Sequence, residues 1–176
     1  KEDYVLFLNR VMTGKGAWEF IHLCRRWGIR GKLAGEDRFI DDPAYVRRVM
    51  AACDGDQVQY IGRVSLDLKR ELLGKARALV CPRGGGYMEV FGLATVEAMA
   101  CGTPVLSTDC GAARELIEHG TTGGVFATLD DMGKGVYIIE QTTPEACRRQ
   151  AERFDIPQTT QRYLELVGKV LQEGGW

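Results

Sequence analysis

Two glutamates eight positions apart, Glu89 and Glu97, bracket the segment Glu89-Val90-Phe91-Gly92-Leu93-Ala94-Thr95-Val96-Glu97, which reads as the entry into a helix. At a rise of about 1.5 Å per residue the carboxylates lie roughly 12 Å apart along the axis, wider than two carboxylates acting on one scissile bond need. They are therefore expected to hold different parts of one long ligand. Phe91 and Gly92 fall where the first unpaired N–H groups of that helix would point, and such groups, with the positive end of the helix dipole, suit a phosphate. Near the chain start, Arg10 and Lys15 form a second candidate pair. A lysine at the start of a helix is disfavoured by the dipole, so an anion beside Lys15 would explain its placement.

The elements that must position these residues follow from periodicity. Short apolar runs at 4–8, 32–34, 58–61, 78–81, 104–106 and 124–126 alternate with longer segments of helical period. That is the pattern of a parallel sheet covered on both faces, an α/β Rossmann-like doubly wound fold of three layers. Ala17, Phe20, Ile21 and Cys24 make one helical core stripe, and Val46, Val49, Met50 and Cys53 another. Asp42 before Pro43 reads as an N-cap with proline at the first helical position, and Asp54-Gly55 closes that helix. Ser65 caps the next helix, and Gly120 is expected to end one running from about Ala112. Thr143-Pro144 starts a further helix, and Asp155-Ile156-Pro157 separates it from a last one striped by Tyr163, Leu166, Val167 and Val170. We expect one unit over residues 1–140, with the helices of 141–176 packed on it.

In such a sheet a ligand lies beyond the carboxyl ends of the strands. Arg10 follows the first run, Gly35 the second, Gly62 and Arg63 the third, residues 83–91 the fourth and 107–111 the fifth, so one crevice could collect them. Several of these residues also have plainer readings. Arg10 and Lys15 could be surface charges, Arg83 a solvated charge or a phosphate contact, and Gly84-Gly85-Gly86 a turn or a lip of the pocket. Gly14-Lys15-Gly16 is not a Walker loop, since Gly16 stands where Ser or Thr should hold magnesium. His22 and His119 read as structural residues, and Trp18 and Trp27 as helix packing. Glu97, within an apolar helical segment, must face solvent or meet strong donors.

Composition sets the outer limits. The 176 residues, 45% hydrophobic, can bury one good core. The 23 basic residues nearly cancel the 24 acidic ones, so no global field gathers nucleic acid or an anionic membrane, and phosphate binding must be local. Six dispersed cysteines without Cys-x-x-Cys fit reduced core thiols rather than zinc or disulfides, and a cytoplasmic setting is the expectation. No aspartate cluster suits a metal, and no metal site is expected. No apolar run approaches the roughly 20 residues of a membrane span. The first residue is Lys rather than Met, so the chain is expected to be a piece of something longer.

Four segments, in order, carry a resemblance. Leu8-Asn9-Arg10-Val11-Met12-Thr13-Gly14-Lys15-Gly16, Tyr60-Ile61-Gly62-Arg63-Val64, the segment from Glu89 to Pro104, and Val105-Leu106-Ser107-Thr108-Asp109-Cys110-Gly111-Ala112-Ala113-Arg114-Glu115 are similar to stretches of the retaining glycosyltransferases of sequence family 4 (glycosyl transferases group 1). The similarity runs over about 5–126. It implies the C-terminal, donor-binding half of a GT-B fold, and transfer of a sugar from a nucleoside diphosphate sugar to an acceptor hydroxyl with retention. By this resemblance Arg10 and Lys15 hold the donor diphosphate, Glu89 lies near the transferred sugar and the reacting centre, and Glu97 takes the ribose. Gly35, Gly62, Arg63, Phe91, Gly92 and Leu93 complete the donor site, with no cofactor and with UDP or GDP left open. The expected partner is an N-terminal acceptor-binding domain, through which peripheral membrane contact would come. The last helices would cross to it, leaving an apolar patch here, and this half alone should bind donor weakly and catalyse little.

Asn9 departs from the family's usual glycine, Asp37 stands where a second glycine is common, and Val90 replaces a small residue or proline. These departures bear on pocket width rather than on the class. Two other classes stay open at this point: a GT-B sugar-nucleotide epimerase, and a non-catalytic nucleotide-binding module of the same fold.

Overall fold

A computed structural model describes residues 1–36, 42–83 and 88–173. The departure at Asp37 and the glycines Gly84, Gly85 and Gly86 lie outside the described residues. The chain runs β1 (Val5–Leu8), α1 (Ala17–Trp27), β2 (Gly31–Ala34), α2 (Pro43–Ala52), β3 (Val58–Gly62), α3 (Leu66–Lys75), β4 (Leu79–Cys81), α4 (Leu93–Ala100), β5 (Val105–Thr108), α5 (Ala113–Leu116) and β6 (Gly123–Phe126). A 3₁₀ turn over Asp131–Lys134 leads into α6 (Gly135–Gln141), α7 (Pro144–Glu152) and α8 (Ile156–Glu173).

The strands form one six-stranded sheet in the order β3-β2-β1-β4-β5-β6, and every pairing is parallel. This is the Rossmann-type order, in which the strand sequence reverses between β1 and β4 and opens a crevice at their carboxyl ends. Period-two alternation divides the core into two layers. Val5, Phe7, Val80, Leu106 and Phe126 face α1, α2 and Met132, whereas Leu6, Leu79, Cys81 and Val105 face α3, α4, α5 and α7. The strands are apolar on both sides because both sides are covered.

Local chemistry sets the helix starts. The Asp42 carboxylate accepts from the N–H groups of Ala44 and Tyr45 at 2.9 and 3.0 Å. The Ser65 hydroxyl accepts from Leu68 at 3.3 Å and that of Thr143 from Ala146 at 3.2 Å. One expected boundary is corrected. The helix beginning near Ala112 does not reach Gly120 but ends at Leu116, because Ile117 turns extended. Gly120 instead turns the chain into β6, donating its N–H to the Gly123 carbonyl at 2.8 Å.

The last two helices differ. Cys147 and Ala151 of α7 belong to the core, and Gln150 donates to the Leu116 carbonyl at 2.9 Å. Helix α8 buries no residue, and its stripe of Tyr163, Leu166 and Val167 is exposed.

Candidate functional site

Three loops interlock at the reversal between β1 and β4. Gly16, at φ +91°, caps α1, and a Cβ there would stand 2.2 Å from the Pro82 carbonyl oxygen, so only glycine lets the start of α1 lie against the end of β4. Gly111 does the same on the other side, since its Cβ would meet the Glu89 carbonyl oxygen at 1.8 Å. The Ala112 N–H donates to that carbonyl at 3.3 Å, and the Thr108 hydroxyl donates to the Arg83 carbonyl at 3.0 Å. Arg114, forked onto Asp109 at 2.8 and 2.6 Å, braces the loop after β5 and holds the Asp109 carboxyl below its usual range through those hydrogen bonds.

These backbones aim three charged side chains at one point. Lys15 Nζ lies 2.8 Å from Glu89 Oε2, and Arg83 Nη2 lies 3.1 Å from the same oxygen. The Lys15 and Arg83 side chains are only 5% and 4% exposed, against 18% for Glu89. The anion expected beside Lys15 is thus supplied by the chain itself. Arg83 is not a solvated charge. Its Nε is buried and meets no acceptor among the described residues. Arg10 stands exposed at the rim, its N–H taken by the Asn9 side chain at 2.9 Å, so the residue in place of the usual glycine anchors the turn.

An open crevice of about 370 Å³ is lined by Asn9, Arg10, Lys15, Arg83 and Glu89 on its polar side and by Val90, Phe91, Gly92 and Leu93 on the other. Helix α4 starts at Leu93 with Gly92 as an N-cap in the left-handed region and no side-chain cap. The groups at its positive end are therefore those of Gly92, Leu93 and Ala94, and Phe91 is a wall of the crevice rather than part of the helix. Its ring packs edge-on against Phe154 at 5.8 Å between centroids.

The remaining candidates are not among the lining residues, although Gly35 packs against Asn9, whose carbonyl oxygen a Cβ on Gly35 would meet at 1.7 Å. Gly35 donates its N–H to the Gly62 carbonyl at 2.9 Å and accepts from the Tyr60 hydroxyl at 2.9 Å, joining the ends of β2 and β3. Arg63 is 80% exposed and 3.9 Å from Glu36. Glu97, within α4, meets Lys69 of α3 at 2.5 Å, and both are partly exposed. Lys69 went unnoticed in the sequence, although it stands four residues beyond the Ser65 cap, where α3 can present it to α4. Arg83, which the sequence leaves open between a solvated charge and a phosphate contact, stands two residues after β4 at the sheet reversal. His22 is exposed, and His119 accepts from the Val125 N–H at 3.1 Å, as structural residues would. Burial raises the thiols of Cys24 to about 12 and Cys147 to about 11. Among the described residues no three His, Cys, Asp or Glu side chains converge as around a metal ion, and no helix is long and apolar enough to cross a membrane.

A six-stranded parallel sheet with this strand order and its reversal between β1 and β4 defines a Rossmann-like α/β fold of the GT-B type. The chain belongs to the family of glycosyl transferases group 1, whose model matches residues 1–152. It is 36% identical over 126 residues to α-maltose-1-phosphate synthase of Mycobacterium tuberculosis, covering 68% of this chain and 32% of that one. An uncharacterized glycosyltransferase of Methanocaldococcus jannaschii is 25% identical over 96% of this chain and 47% of its own. Among solved structures, AviGT4, a glycosyltransferase involved in avilamycin A biosynthesis, superposes with a TM-score of 0.76 at 28% identity, over 94% of this chain and 50% of that one. Anabaena HepE, solved in complex with UDP-glucose, shares the fold at a TM-score of 0.74 and 20% identity, over 96% of this chain and 49% of its own. The chain therefore spans about half the length, or less, of the relatives it matches.

Proposed function

We propose that this chain is the donor-binding half of a retaining glycosyltransferase that takes a nucleoside diphosphate sugar and passes the sugar to an acceptor hydroxyl. The observation that carries this reading is the charge of the crevice: two buried cations share one carboxylate, and a third, Arg10, stands at the rim. Cationic side chains clustered at one crevice favour an anion, and the positive end of α4 adds to it. On this reading the diphosphate lies against Arg10, Lys15 and the start of α4. The transferred sugar lies near Glu89, the ribose reaches Glu97, and the base lies towards Gly35, Gly62 and Arg63.

As the bond from the anomeric carbon to the diphosphate breaks, negative charge grows on the leaving phosphate. On this reading Arg10, Lys15 and the N–H groups at Gly92 and Leu93, which line the crevice, stabilise that charge electrostatically. The acceptor site belongs to a second, N-terminal half, so the chain alone binds donor weakly and turns over little. The exposed stripe of α8 is proposed to face that half.

Calorimetric titration with UDP, GDP and ADP, followed by the sugar nucleotides of whichever base binds, tests the reading. We expect one diphosphate to bind saturably. Lys15→Ala and Arg10→Ala should each weaken it by about tenfold, a loss of about 1.4 kcal/mol, and leave the free nucleoside unaffected. Equal losses for nucleoside and diphosphate would remove the phosphate assignment.

A further inference from the structure

Arg83 and Glu89 carry more than the donor reading needs. Two buried cations converge on a single oxygen, Glu89 Oε2, at 2.8 Å from Lys15 and 3.1 Å from Arg83. An arginine facing a carboxylate is best satisfied by two parallel bonds. Here only Nη2 engages, and Nε stays buried without an acceptor among the described residues, at the usual cost of a desolvated donor. A planar carboxylate shared with Lys15 does not reach all the donors that converge on it. A phosphoryl group, with its oxygens spread in three directions, can serve Nη2, Nε and Lys15 Nζ together.

We propose that Glu89 is an internal anion occupying the position of a ligand phosphoryl group, and that Arg83 becomes a phosphate ligand once the carboxylate is displaced. The proposal rests on the donor reading for the identity of the ligand but not for the presence of an anion site. Glu89 is the most exposed of the three groups, and its neighbours Met88 and Val90 are open to solvent, so its side chain has room to swing aside. Until then it sits against both Lys15 and Arg83 and offsets their positive charge. The carboxylate then competes with the ligand, and its removal must strengthen phosphate binding. A glutamate that merely contacts the ligand predicts the opposite sign.

The test is calorimetry with inorganic pyrophosphate and with the nucleoside diphosphate that binds, at low ionic strength, on the wild-type chain, Glu89→Gln and Arg83→Gln, each checked for folding by circular dichroism. Glu89→Gln should bind pyrophosphate about tenfold more tightly and Arg83→Gln about tenfold more weakly, while affinity for the nucleoside stays constant in both. An unchanged or weaker Glu89→Gln overturns the internal anion, and an unchanged Arg83→Gln overturns the phosphate ligand. If Glu89→Gln does not fold, Arg83→Gln alone decides, because loss for pyrophosphate without loss for nucleoside is not a packing effect. Nucleotide binding with neither shift sinks this inference and leaves the donor reading intact. The expected pyrophosphate pattern without nucleotide binding does the reverse, and no binding by any folded variant overturns both.

Discussion

The two glutamates meet the same kind of partner in opposite surroundings. Glu89 shares one oxygen between Lys15 and Arg83, both almost wholly buried, in a loop clamped by Gly16 and Gly111. Glu97 pairs with Lys69 across α3 and α4, where the two side chains are 25% and 39% exposed for lysine and glutamate respectively. A half-exposed pair is screened by water and adds little, whereas a buried charge that loses its partner is costly. Burial, rather than ion-pair distance, therefore separates a charge cluster on which the local structure depends from one that a ligand can replace cheaply.

The largest test of that contrast removes the clamp. Gly16→Val puts a branched side chain at φ +91° and into the Pro82 carbonyl, and should cost about 3 kcal/mol or more in urea unfolding. A change below 1 kcal/mol would mean that the loops are not held as described. Glu89→Ala leaves Lys15 and Arg83 facing each other and should cost about 3 kcal/mol, part of which added pyrophosphate should restore. A melt unaffected by pyrophosphate would break the link between the buried pair and anion binding.

On the other side of the comparison, Glu97→Ala should lower stability by less than about 1 kcal/mol yet abolish any preference for ribose over deoxyribose in the bound nucleotide. A retained preference places the ribose elsewhere. Lys69→Ala should have the smallest effect, a few tenths of a kcal/mol at most in the same unfolding experiment. A loss as large as that of Glu89→Ala would erase the distinction between the two pairs.

Much of the sheet was legible because each strand is a short apolar run that both layers cover, and each of α2, α3 and α7 opens on a side-chain cap. The helix after β5 was overextended because Ile117 leaves the helical path to be buried against α7 and its neighbours, a packing demand with no local signal. Arg10, Lys15, Glu89, Phe91, Gly92 and Leu93 do meet at one crevice, as their places after β1 and before α4 implied. The pairings of Arg83 with Glu89 and of Lys69 with Glu97 join residues from different elements, and no spacing in the chain announces them.

By itself the sequence determined the order of strands and helices, the caps that start the helices and the loops that carry the charges, since these depend on residues adjacent in the chain or at a fixed period. Only the tertiary structure decided that two cations would share one carboxylate oxygen away from water while a second glutamate kept its lysine at the surface. That outcome depends on the strand reversal between β1 and β4 and on how closely three loops approach, and the energy of a charge is set by what surrounds it in space.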